Sequence, residues 1–187
     1  VEVIHGDILE QDPAVWFADA ANYKVVANVP YYITGAIFRH LLEAPVKPSR
    51  VVLTIQKEVA ERLVAEPNKM SLLAVSVQFY GRTQLITNLS AGAFYPRPTI
   101  ASSVLSVDLT QRLPETAAVQ NEAKFFQIVK TGFSQKRKQL RKNLRALGYN
   151  KNQVDAFLAQ ANIAGQRRAE TLSVTEWVHL YKAITAQ

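Results

Sequence analysis

The sequence predicts an α/β domain with a largely parallel sheet, followed by a small, basic, all-helical domain. Three observations carry this expectation. Up to about Leu109, short β-branched runs alternate with helical periods. From about Asn121 onward no strand pattern appears. The charge divides in the same way: residues 1–119 hold 10 Lys and Arg against 11 Asp and Glu, and residues 120–187 hold 12 against 4, so the whole net charge of +7 falls in the last third. A domain with that surplus is expected to face a polyanion.

Each element has its own local reason. Val1 to Ile4 reads as an opening strand, and His5-Gly6-Asp7 then puts a carboxylate at the end of the strand where open α/β sheets hold ligands. Asp12 followed by Pro13 starts a helix through Ala20. Lys24 to Ala27 is a strand, and Thr34 is an N-cap candidate for a helix over Gly35 to Glu43, with Ile37, Phe38, Leu41 and Leu42 as its inward stripe. Val51 to Ile55 is a strand, and Lys57 to Ala65 a helix in which Glu58 and Arg62 have pairing distance. A helix over Ser71 to Phe79 and strands over Thr83 to Leu89 and Ser103 to Leu109 complete this part, with Arg112 to Asn121 as linker.

In the second part Phe126, Val129, Phe133, Leu140, Leu144 and Leu147 recur at helical spacings, with Gly148 as C-cap. Val154, Phe157, Leu158 and Ala161 mark a second helix ending near Gly165. Ser173 and Glu176 have capping-box spacing ahead of a third, which carries Trp177, Val178, Tyr181 and Ile184.

The composition narrows the function. There is no cysteine, and His5, His40 and His179 lack ligand spacing, so no bound metal is expected. No apolar run reaches membrane-spanning length and no signal peptide opens the chain, which predicts a soluble, cytoplasmic protein with no membrane partner.

The segment Asn28-Val29-Pro30-Tyr31-Tyr32 has the parts needed to hold a flipped-out adenine. An amide oxygen and the carbonyl of a pre-proline residue can accept from the exocyclic amino group, and an aromatic ring can stack on the base. Pro30 biases Val29 toward extended backbone and stiffens the shelf. Adenine methylation is the chemistry this suggests, although the same residues also fit core aromatics beside a strand-end proline. In Phe94-Tyr95-Pro96-Arg97-Pro98-Thr99-Ile100-Ala101-Ser102, two prolines make a rigid connection that either presents Phe94 as a stacking plate opposite Tyr31 or leaves it in the core. Arg137, Arg141 and Arg145, spaced by four with Lys136, Lys138 and Lys142 beside them, predict one cationic helix face. No acid lies between Lys124 and Lys151 to screen it, which favours a nucleic-acid partner over a solvated face.

Taken in order, G-D, N-V-P-Y-Y, Q-K-E-V-A-E-R-L, F-Y-P-R-P-T-I-A-S-S-V, F-S-Q-K-R-K-Q-L-R-K-N-L and R-A-E-T-L-S resemble the KsgA family of ribosomal small-subunit RNA adenine dimethyltransferases, over essentially the whole chain. The resemblance implies a Rossmann-like methyltransferase domain at 1–113, incomplete at its N-terminus, and a helical RNA-binding domain at 114–187. It implies S-adenosylmethionine as donor and dimethylation of two adjacent adenines in small-subunit ribosomal RNA, with a role in ribosome biogenesis on the pre-ribosomal small subunit. Asn28, Val29, Pro30, Tyr31 and Phe94 are then the catalytic pocket, Asp7, Ile8 and Asn28 the cofactor contacts, and Lys136, Arg137, Lys138, Arg141, Lys142 and Arg145 the RNA contacts. Two alternatives stay open: a non-catalytic RNA-binding or ribosome-assembly module, and a large-subunit RNA or DNA adenine methyltransferase.

Val stands at position 29 where the family often has Leu. The family's glycine-rich cofactor loop and ribose-binding acid have no counterpart, and Val1 falls at what resembles its third strand. A fragment of a longer protein is therefore expected, inactive by itself and monomeric unless strands rearrange or swap. In the family's sheet order, 3-2-1-4-5-7-6, Val1 to Ile4 would lie about 14 Å from Lys24 to Ala27 across two vacant positions, or would shift to pair with it or with another chain.

Overall fold

The structure is a computed structural model that describes residues 1–17, 22–95 and 99–186. Its helices and strands run α1 (Pro13–Phe17), β1 (Lys24–Asn28), α2 (Thr34–Glu43), β2 (Arg50–Gln56), α3 (Lys57–Leu63), α4 (Leu72–Gln78), β3 (Arg82–Leu89), β4 (Ser102–Asp108), α5 (Pro114–Ala117), α6 (Glu122–Gly132), α7 (Leu140–Leu144), α8 (Lys151–Gln160) and α9 (Val174–Thr185). The chain forms two compact units, one of Val1–Glu61 with Tyr80–Gln111, the other of Arg62–Phe79 with Arg112–Gln187.

The first unit is built on a four-stranded sheet of order β1-β2-β4-β3. β1 and β2 pair in parallel through the crossover helix α2, whereas β4 runs antiparallel to both β2 and β3. The expected largely parallel sheet is thus corrected to one parallel pair. Among the described residues the connection from β3 to β4 holds no crossover α-helix, as befits an antiparallel pair. Val51, Leu53 and Ile55 of β2 and Leu105 and Val107 of β4 are fully buried. Against them α2 buries Ile37, Phe38, Leu41 and Leu42, the stripe its periodicity predicts. Thr34 is the first helical residue rather than the cap, and its hydroxyl donates to the Tyr31 carbonyl at 3.0 Å.

The opening strand does not form. Residues 1–4 have no ladder partner among the described residues, and Val1, Val3 and Ile4 are exposed. The expected direct pairing of this segment with Lys24 to Ala27 does not occur: it makes no ladder bonds to β1 among the described residues. β1 is one of the two edge strands of the sheet among the described residues, with Val26 at 79% exposure. A four-residue strand with no partner leaves its backbone groups unsatisfied, which is reason enough for it to stay irregular. Of the helix expected over Pro13 to Ala20, residues 18–20 lie outside the described residues.

Asp108 closes β4 and ties the strand ends together. It accepts from the Thr110 hydroxyl at 2.6 Å and backbone N–H at 3.0 Å, and from Arg50 at 2.5 Å. The Thr110 hydroxyl, with Arg50 and the Thr110 amide behind it, holds the Asp108 carboxyl below its ordinary value of 3.8 even though burial opposes this. A depressed carboxylate stabilises the fold fully above its unfolded value, and that contribution is lost as pH falls below 3.8 through the folded value. Thr110→Val is therefore expected to move the acid-unfolding midpoint, followed by circular dichroism, to higher pH. An unmoved midpoint would show that the hydroxyl does not set this carboxylate.

The second unit contains helices and no strand among its described residues. Phe125, Ile128, Val129, Leu140, Leu144, Leu158, Trp177, Val178 and Leu180 are buried to 2% exposure or less. Ser173 and Glu176 form the expected capping box at the start of α9, and a second box, Asn150 with Gln153, opens α8. Gly148 takes φ +93 after the turn 145–147, as its C-cap role predicts. The linker expected over Arg112 to Asn121 is ordered: it holds α5, and Arg112 donates to the Thr116 carbonyl at 2.9 Å and pairs with Glu122 at 3.1 Å.

The helix expected through Leu147 is interrupted. α6 ends at Gly132, residues 134–139 form turns, and α7 begins only at Leu140. The buried Asn143 amide fixes the break by donating to the carbonyls of Gly132 at 2.6 Å and Gln135 at 3.2 Å.

Candidate functional site

The strand register brings the predicted pocket residues to one end of the sheet. Asn28 pairs opposite Thr54 near the end of β2, and Gln56 and Leu89, the last residues of β2 and β3, both pair with Ser102, the first of β4. The Asn28–Tyr32 shelf leaves this end directly after β1, and the 90–101 connection that carries Phe94 crosses the same end. A backbone bond from Lys57 N–H to the Ala101 carbonyl, 2.9 Å, holds that connection where it returns to the sheet.

On the shelf, Val29 turns its side chain into the core at 7% exposure, while Asn28 and Pro30 are exposed. Among the described residues the Asn28 side-chain amide has no hydrogen-bond partner, so it is available to a ligand. Pro30 has φ −59 and ψ 130, and Tyr31–Ile33 then turn into α2. The Tyr31 hydroxyl meets the Ser102 hydroxyl at 2.5 Å. Ser102 is 1% exposed, so the far end of the half-buried Tyr31 ring is anchored to the sheet rather than to solvent. This anchor is absent from the sequence expectations. Its only sequence signal is a serine placed where a strand begins after the proline-containing segment.

A cleft of about 380 Å³ opens beside the shelf, lined by Asn28, Val29 and Pro30 and by Ile8, Trp16 and Phe17 among others. It brings together two of the three expected cofactor contacts, Ile8 and Asn28. Asp7 does not line it; its carboxylate caps the turn 8–10, where Oδ1 accepts from Leu9 N–H at 2.9 Å, leaving Oδ2 free of that bond. Because Val1 to Ile4 is not a strand, Asp7 does not stand at a strand end as expected. Trp16 and Phe17 were not anticipated as walls. Phe17 stacks on Tyr23 with ring centroids 4.3 Å apart, which fixes this wall against β1. Phe94 is half-buried, in extended backbone after the turn 91–93. Pro96, Arg97 and Pro98 lie outside the described residues.

In the second unit the basic residues do not form the expected helical stripe. Lys136, Arg137 and Lys138 are exposed on the turns 134–139, Arg141 and Lys142 are on α7, and Arg145 opens the turn after it. A single helical face through Arg137, Arg141 and Arg145 is therefore corrected to a cationic loop followed by a cationic helix. The physical reason is the Asn143 tie together with mutual repulsion of consecutive cations, which an extended turn relieves. Arg141 also has an acidic neighbour from beyond the acid-free stretch, Asp155 of α8 at 3.8 Å.

Residues 1–186 match the ribosomal RNA adenine dimethylase family. A Dehalococcoides mccartyi protein named ribosomal RNA small subunit methyltransferase A is 44% identical over 178 residues, covering 94% of this chain and 60% of the relative. One of the same name from Acaryochloris marina is 43% identical, covering 95% and 67%. The chain spans about three fifths of the length of the Dehalococcoides relatives. Among solved structures, a dimethyladenosine transferase from Plasmodium falciparum superposes with a TM-score of 0.76 at 20% identity, over 96% of this chain and 70% of that one. The 23S rRNA methyltransferase ErmE gives 0.71 at 21%, over 97% and 71%. At such identity the likeness speaks for the fold, which is of the Rossmann-like α/β class.

Proposed function

The chain belongs to the ribosomal RNA adenine dimethylase family, and on that premise we propose that the full-length protein dimethylates two adjacent adenines of small-subunit ribosomal RNA on their exocyclic amino groups. The observation that carries this reading is the unpartnered Asn28 amide on a proline-stiffened shelf at the mouth of an apolar cleft.

The adenine amino group is a poor nucleophile because its lone pair is delocalised into the ring. Acceptors aimed at its two hydrogens favour the more tetrahedral nitrogen of the transition state. Asn28 Oδ1 and the Val29 carbonyl are those acceptors, and Pro30 keeps them from swinging away. Tyr31 stacks on the base with its hydroxyl held by Ser102, and Phe94 closes the other face. The apolar cleft walls suit the adenosyl part of S-adenosylmethionine, with Ile8 and Asn28 as contacts and Asp7 Oδ2 left to accept from its amino group. When bound, this donor supplies a methyl group activated by a sulfonium centre. The cationic loop Lys136–Lys138, with Arg141, Lys142 and Arg145, holds the RNA backbone. The protein then acts in the cytoplasm, on the pre-ribosomal small subunit.

Methyl incorporation tests the reading. The full-length protein, given labelled donor, is expected to form dimethyladenosine at one adjacent pair in small-subunit RNA, read by mass spectrometry of nucleosides. Label confined to large-subunit RNA or DNA, or absent with RNA binding intact, would overturn it.

A further inference from the structure

A pocket of about 310 Å³ lies between α7 and α8, lined by Arg141, Lys142, Arg145, Lys151 and Asp155 among others. Four cations thus share one concavity with a single carboxylate. That carboxylate is poorly matched to the charge around it: Asp155 Oδ1 reaches Arg141 Nη1 only at 3.8 Å, with both side chains more than a third exposed. Arg141 Nε is buried without an acceptor among the described residues, covered on one side by Gly165, where an added Cβ would lie 3.4 Å away. At the helix start beside the pocket, the Asn150 and Gln153 N–H groups are already taken by their capping box, so the charge of the concavity comes chiefly from these side chains. A helix surface gains nothing from gathering four cations around so weak an ion pair. A multiply bonded anion would relieve their repulsion.

We propose that this pocket seats one backbone phosphate of the bound RNA, with Asp155 as a resident anion that the phosphate displaces. The proposal rests on the RNA-binding reading above and adds Lys151 and Asp155, which that reading does not include. Lys151 contributes the charge from the α8 side, and Arg141, Lys142 and Arg145 contribute it from α7 and the turn that follows. Asp155 keeps Arg141 oriented when RNA is absent, at the cost of competing with the phosphate when it arrives.

RNA affinity of the full-length protein, measured by filter binding across a salt series, tests this with three variants. Lys151→Gln is expected to weaken binding and reduce the salt slope by about 0.7–0.9, the signature of one lost phosphate contact. Asp155→Asn is expected to tighten binding roughly twofold to fivefold, the range an exposed ion pair can withhold. Lys136→Gln, Arg137→Gln and Lys138→Gln together report on RNA binding at large. If the triple variant lowers the slope and Lys151→Gln leaves it unchanged, the phosphate seat is overturned while the RNA reading stands. If no variant changes the slope, both fall. Weaker binding by Asp155→Asn, with an unchanged melting temperature, would overturn its role as a stand-in. Inorganic phosphate alone probes the other source of the same group: saturation at submillimolar concentration would reassign the pocket to a free phosphate ligand and overturn the RNA assignment.

Discussion

On the proposed reading, replacing Asn28 by alanine in the full-length protein is expected to lower the methyl-transfer rate by about 10²–10³-fold, with RNA affinity unchanged, the loss typical when one preorganised polar contact to a transition state is removed. Three features make the effect large and local. Asn28 is exposed at the end of β1, so its side chain supports no core packing. Its amide has no partner among the described residues, so no internal hydrogen bond is broken. Its backbone is fixed by the β1–β2 ladder on one side and the Pro30 shelf on the other, so the position of its side chain is set before a ligand arrives. Single-turnover rates at saturating RNA, beside a melting curve, check this. A loss below about threefold would place the important acceptor elsewhere and leave Asn28 a bystander.

Trp177→Ala is expected to destabilise the helical unit by about 3–5 kcal/mol, the usual cost of removing a large buried aromatic, and so to lower its melting temperature by roughly 12–40 °C. Trp177 is 0% exposed and packs against Phe133 with ring centroids 5.7 Å apart. It also lies so close to Gly132 that an added Cβ there would clash with its ring. The indole N–H has no acceptor among the described residues, so the residue stabilises through packing. Trp177→Phe, which deletes that N–H while keeping most of the apolar volume, should therefore cost clearly less than Trp177→Ala. Equal losses in the two variants would point to a polar role for the indole. Gly132→Ala approaches the same contact from the other side and should cost about 1–3 kcal/mol by overpacking.

The strands and the main amphipathic helices were legible in the sequence because their signals are local. β2 needs only its β-branched alternation, α2 its apolar stripe, and α9 its serine and glutamate three residues apart. Features decided by distant partners were not legible. Alternation along Ser102–Asp108 is the same whether the neighbouring strand runs up or down, so the antiparallel half of the sheet carried no sequence signal. Phe133 and Leu140 are seven residues apart, a spacing that fits two helical turns equally well as the loop that Asn143 ties off. At the site, the shelf could be read from an asparagine, a proline and two tyrosines in a row. The anchor of Tyr31 could not, because Ser102 lies 71 residues away in sequence. The strand expected at Val1 to Ile4 failed for a related reason: a strand exists only by virtue of its neighbour.

The helical unit is not one stretch of chain, since residues 62–79 belong to it as fully as 112–187 do. Phe79, from the earlier stretch, stacks on Phe125 at 4.5 Å and lies under the Arg112 guanidinium at 4.6 Å, and the backbone of Asn68 and Met70 bonds to the Glu170 carbonyl. Genetic recombination at a single junction therefore cannot transplant this unit without β3 and β4. A graft beginning at residue 112 would leave the Phe125 surface bare, and a host receiving it would have to supply its own counterpart of Phe79. Moving this unit by itself requires three junctions, at 61/62, 79/80 and 111/112, which ties the inheritance of the basic helices to that of β3 and β4, encoded between its two stretches.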